Sequence, residues 1–99
     1  MSRSLSNRRA VNQQAIADLQ GLGPKSAAML AAAGITTVAQ LKLLGSVRAY
    51  AKVKATGASV SLNLLWALEG ALTGLSWQVV AREHRLSLLL ALETLNRDA

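Results

Sequence analysis

Six consecutive residues, Gly21-Leu22-Gly23-Pro24-Lys25-Ser26, hold most of the chemistry this sequence offers. Pro24 suits the first position of a helix, because its fixed φ and missing N–H cost nothing there. The backbone N–H groups of Gly23, Lys25 and Ser26 then point outward from a helix amino end, where the helix dipole and the Lys25 ammonium favour an anion. Gly21 and Gly23 allow positive φ and let another molecule approach the backbone without meeting a Cβ. Leu22 plugs the interior of the turn. The chemistry implied is the grip of a phosphate, with no bond made or broken.

Other reactive residues are few. His84 is the only histidine, and Glu83 beside it has the wrong spacing for a two-residue metal clamp on a helix, so His84 reads as a solvated surface residue. Glu69 sits in an otherwise apolar stretch. Without a second carboxylate, a nucleophile or a metal ligand nearby, it reads as a structural ion pair with basic residues of the preceding helix, or as a partly exposed acid. Cysteine is absent, which removes disulfides and thiolate chemistry and points to the cytoplasm. No phosphate-binding loop of the Walker type and no nucleophile with its base can be assembled from five acids and one histidine. The expectation is a protein that is not an enzyme and needs neither cofactor nor metal.

The net charge is +6, and its distribution says more than its total. No acid occurs between Asp18 and Glu69, while Lys25, Lys42, Arg48, Lys52 and Lys54 all fall in that interval. Such a field attracts phosphate polymers and acidic protein surfaces alike. Arg48 and Lys52 stand four apart, a like-charge spacing that destabilises a helix by about 0.2–0.5 kcal/mol and suits a shared anionic partner. The candidate nucleic-acid contacts are therefore Gly21, Gly23, Lys25, Ser26, Arg48 and Lys52.

The elements that position these residues are helices. A chain of 99 residues makes one domain, and with 52% hydrophobic residues but only Tyr50, Trp66 and Trp77 aromatic, its core is built from Leu, Ala, Val and Ile. No stretch alternates cleanly between apolar and polar, so an all-α bundle of five or six short helices is expected. Neither a signal peptide nor a membrane span is expected, because no apolar run of the right length follows the basic amino terminus.

Residues 1 to 10 read as a flexible basic arm ahead of one domain over 11 to 99. A first helix is expected over residues 11 to 20, and a second from Pro24 until Gly34 stops it. Thr36 or Thr37 caps a third through Leu44, closed by Gly45, and Ser46 caps a fourth that turns Tyr50 and Val53 inward. Ser59 or Ser61 caps a fifth, apolar on nearly every side and therefore central. Its Ala67, Gly70, Ala71 and Gly74 recur at helical spacing and offer a face against which another helix can press. A last helix is expected from Val79 or Val80 to Asn96. It bears two leucine arcs, Leu86, Leu89 and Leu90 on one side and Leu88, Leu92 and Leu95 on the other, and the second arc invites a homodimer.

The run L-x-G-x-G-P-K-x-A from Leu19, followed by G-I-T-T from Gly34, resembles the helix-hairpin-helix motif, which grips nucleic-acid backbones without reading bases. The wider pattern from Leu19 to Trp77, most of all NLLWALEGALTG, looks like the C-terminal domain of the TfoX (Sxy) family, regulators tied to bacterial natural competence and DNA uptake. The resemblance implies a compact helical domain built on a helix-hairpin-helix-like pair and carries no catalytic residues. Full-length members place another domain ahead of this one. Two readings follow: a DNA-contacting accessory or regulatory module, or a protein-interaction module that recruits an acidic partner or dimerises through the last helix.

Overall fold

In the computed structural model the described residues run from 15 to 98, so the arm expected over residues 1 to 10 lies outside them. The described residues form one 3-10 turn, Ile16–Asp18, and five α-helices: α1 (Pro24–Ala32), α2 (Val38–Ala55), α3 (Leu62–Thr73), α4 (Trp77–Glu83) and α5 (Arg85–Asp98). No strand occurs among them. One core joins all of these elements, drawing on Ile16, Leu22, Leu30, Leu41, Val53, Leu65, Leu68, Val80 and Leu88. Helix α3 packs against both α2 and α4 and is the most buried, as its apolar sequence requires.

The punctuation of the chain follows its glycines and hydroxyls. Gly34, at φ 86°, ends α1. Its N–H donates to the Ala31 carbonyl at 2.9 Å and the Ile35 N–H to the Leu30 carbonyl at 2.8 Å, a Schellman closure sealed by the burial of Leu30 and Ile35. Of the two threonines that follow, Thr37 is the cap. Its Oγ1 accepts from the Gln40 N–H while Gln40 Oε1 accepts from the Thr37 N–H, both at 3.1 Å. Ser61 caps α3 by accepting from the Asn63 N–H.

Five expectations need correction. The helix expected over residues 11 to 20 is, in its described part, only the Ile16–Asp18 turn, with Leu19 already extended at ψ 141°; residues 11 to 14 lie outside the described residues. Buried Ile16 and Leu22 pin this segment at both ends, and so short a helix has little propensity of its own to resist that. The third and fourth helices abut without a loop. Gly45, at φ 79° and ψ 168°, breaks the ladder for one residue and the helix resumes at once. Ser46, 4% exposed, gives its hydroxyl to Glu69 Oε1 at 2.7 Å. Among the described residues Glu69 is thus held by a serine and not by a base, and of its two expected readings the partly exposed acid holds. The small face of α3 receives a chain reversal. A Cβ on Gly70 would lie 2.5 Å from the Leu75 carbonyl oxygen, and Gly74 is the left-handed cap at φ 80°.

The fifth correction concerns the last helix, which is two. The chain turns at His84 (φ −117°, ψ 6°), and each half sends one residue into the core, Val80 from α4 and Leu88 from α5. The two leucine arcs now separate. Leu88 is buried and Leu89 and Leu92 pack against the core, whereas Leu86 and Leu90 remain 71% and 54% exposed. The arc expected to pair with a second copy is therefore largely the one the domain covers itself.

Candidate nucleic-acid interface

The turn from Leu19 to Pro24 is built by opposing demands on neighbouring residues. Leu22 is drawn into the core, 5% exposed, and Leu22 N–H donates to the Leu19 carbonyl at 3.1 Å. Gly21 makes this reversal in the left-handed region at φ 88°, which its missing Cβ permits. Gly23 is different. It lies at φ −125° and ψ −171°, extended backbone that any residue adopts, and a Cβ built on it meets nothing within 4 Å. The positive φ expected for both glycines holds for Gly21 alone. Neither conformation nor packing within the described residues requires glycine at 23.

Gly23 is also the residue before α1, and no side chain caps that end. The first backbone bond of the helix runs from the Ala27 N–H to the Gly23 carbonyl at 2.9 Å, so the N–H groups of Lys25 and Ser26 precede the intrahelical ladder. Thr37, Ser61 and Ser76, by contrast, each supply an acceptor to their own helices α2, α3 and α4. Lys25 is exposed and Ser26 half-buried at the uncapped end. The amino end of α1 thus presents donors and a cation together.

These residues open onto a groove of about 380 Å³ between the turn, α1 and the beginnings of α3 and α4. Gly21, Lys25 and Ser26 line one side, and Ser61, Asn63 and Trp77 are among those lining the other. The remaining candidates lie elsewhere. Lys52 lines a separate hollow with Gly34 and Ile35, past the opposite end of α1, and Arg48 is exposed on α2 without lining either space. Lys52 and Lys54 also occupy the last turn of α2, where cations meet the negative end of the helix dipole. Four of the six candidates belong to the turn and the start of α1, and the two on α2 are set apart from the groove.

Sequence reasoning passed over Trp77, Ser59, Ser61 and Asn63 as groove residues. Trp77 alone left a signal: it is one of only three aromatic residues and directly follows the capping Ser76 instead of sitting within an apolar helix. Both described ion pairs, Arg82 with Glu83 and Arg97 with Glu93, lie on α4 and α5, leaving the cations of the turn, α1 and α2 outside them. His84 is exposed, as expected. Among the described residues no three acids or histidines come together as a metal site, and no single helix is long and apolar enough to cross a membrane.

A small all-helical domain with an apolar central helix and a glycine turn opening on a groove is the class this geometry defines. The chain matches the TfoX C-terminal domain family over residues 12–92 and belongs to it. It is also similar to a crystal structure of an uncharacterised protein from Listeria monocytogenes, at 29% identity and a TM-score of 0.72, over 84% of this chain and 94% of that one. No curated protein matches it.

Proposed function

We propose that this domain is a non-catalytic accessory or regulatory module that contacts the DNA backbone without reading sequence, in the bacterial cytoplasm and in the setting of competence and DNA uptake that its family suggests. The observation that carries this reading is the amino end of α1. It is uncapped, flanked by Lys25, and preceded by a glycine for which the fold itself has no need. A phosphate meets two backbone donors and a cation there, with the dipole of a nine-residue helix behind them.

One such turn touches few phosphates, so affinity is weak, at or beyond the usual non-specific dissociation constants of about 10⁻⁴ to 10⁻⁶ M. Titration of a labelled duplex across a salt series tests the reading. Each phosphate neutralised steepens the fall of log affinity with log salt by about 0.9, so a shallow slope is expected. Lys25→Glu weakens binding to all sequences alike. Arg48→Glu and Lys52→Glu report whether α2 extends the footprint. A folded parent without duplex binding at low salt, or Lys25→Glu binding as well as the parent, overturns the reading.

A second reading has its own observation. Leu86 and Leu90, one turn apart on α5, are largely exposed, and such a stripe fits a protein partner or a second copy of this chain. Light scattering at micromolar concentration separates the two functions. A dimer that Leu86→Glu converts to a folded monomer favours association through α5; a parent that is already monomeric removes the second copy.

A further inference from the structure

The groove beside α1 carries more than a phosphate site needs. Among the described residues Lys25 is the only ionisable one lining it, and the adjoining chain from Leu19 to Leu68 contains no acid, so the groove selects an anion. Trp77, 43% exposed at the start of α4, lines the same groove. Met29, Leu64 and Ala67 give it an apolar floor, and the Asn63 side chain, exposed at the start of α3, adds an amide with both donor and acceptor. The required ligand combines an anionic group, a flat apolar face and hydrogen-bonding edges. That is the description of one nucleotide unit.

Resting on the DNA reading above, we infer that the groove takes an unpaired nucleotide of a single strand, its base against the Trp77 ring and its phosphate at Lys25. In a duplex the bases are stacked on one another and their faces are closed to the protein. An exposed indole in a groove of about 380 Å³ then has no partner, whereas an unstacked base fits a space at the small end of ordinary ligand sites, which run from roughly 300 to 1,000 Å³. Stacking on aromatic side chains is how proteins hold single strands irrespective of sequence. A strand end or a locally opened duplex is therefore bound in preference to an intact one.

Indole fluorescence of the 99-residue chain reads this directly, because Trp66 is buried and Trp77 is the exposed indole. A short oligothymidine, its duplex with oligoadenine and inorganic phosphate are titrated separately at low salt. The single strand is expected to quench emission and to bind more tightly than the duplex, while phosphate alone leaves emission unchanged. Trp77→Ala is expected to weaken single-strand binding by about five- to a hundredfold and to leave duplex binding within about twofold. Trp77→Phe retains most of the affinity. Should Trp77→Ala lose its helical circular dichroism, acrylamide quenching of the parent decides, and single-stranded DNA must shield the exposed indole. Equal binding of both DNA forms, or unaltered single-strand binding by a folded Trp77→Ala, overturns the inference. If duplex binding still depends on Lys25 in that case, the DNA reading stands and only the stacking fails. If neither form binds, both fall.

Discussion

Gly70 and Gly23 are glycines for opposite reasons, and substitution separates them. At Gly70 a Cβ would stand 2.5 Å from a backbone carbonyl oxygen, and the same residue's own carbonyl accepts from both the Gly74 and Leu75 N–H groups. Gly70→Ala must therefore open the reversal between α3 and α4. We expect a loss of about 1–3 kcal/mol in urea denaturation, the usual range for overpacking. Gly23→Ser behaves differently. Serine is a good N-cap, so stability is held or raised by a few tenths of a kcal/mol, yet the new hydroxyl competes for the α1 amides. Weaker DNA binding by a protein that melts as high as the parent is the expected result. Tighter binding would show that those amides play no part. The sequence shows that Gly70 is small but not what it makes room for, because the Leu75 carbonyl is brought there by the turn and not by helical spacing.

At the scale of elements, legibility followed local signals. Pro24 and Gly34 bracket α1, Thr37 with Gln40 opens α2, and Ser61 with Gly74 brackets α3, each by a hydrogen bond or a backbone angle that its residue type favours. The turn at His84 had no such signal. No glycine or proline lies near it, and the break comes from core geometry, which draws in Val80 and Leu88 from the two sides of the bend. This division makes the α5 leucines unequal. Leu88→Glu puts a charge where the native residue is 8% exposed and should lower stability by at least the 2–5 kcal/mol typical of a lost core leucine. Leu86→Glu, at a position 71% exposed, should change it by no more than about 0.5 kcal/mol. Denaturation of the two variants side by side tests the assignment. The Ser46 to Glu69 bond between α2 and α3 was likewise invisible, since the partners lie 23 residues apart and neither marks the other. Ser46→Ala should remove about 0.5–1.5 kcal/mol.

Across the whole molecule charge is divided by region. The exposed cations of α1 and α2 face no acid on their own helices, while two of the three cations of α4 and α5 are paired with glutamates, Arg82 with Glu83 and Arg97 with Glu93. Neutralising the two groups should therefore have different effects. Arg97→Gln is expected to leave both DNA binding and melting nearly unchanged, because an exposed pair contributes little. Lys25→Gln should reduce the salt dependence of binding by about one unit of contact. The sequence conveyed the acid-free half of this segregation, from Asp18 to Glu69, but not the pairing of Arg82 and Arg97. The groove that this half serves was hidden, because its walls come from residues 21 through 77 and no local pattern joins them.

A groove assembled from the turn, α1, α3 and α4 exists only while those elements are docked, so an occupant that depends on it binds the native chain in preference to the unfolded one. Ligand at ten times its dissociation constant then adds about 1.4 kcal/mol to the native state, which for a domain of this size raises the melting temperature by on the order of 5 to 10 °C. Occupancy is thus readable as heat resistance, and a weak ligand that escapes detection in a gel still declares itself in a thermal scan at millimolar concentration.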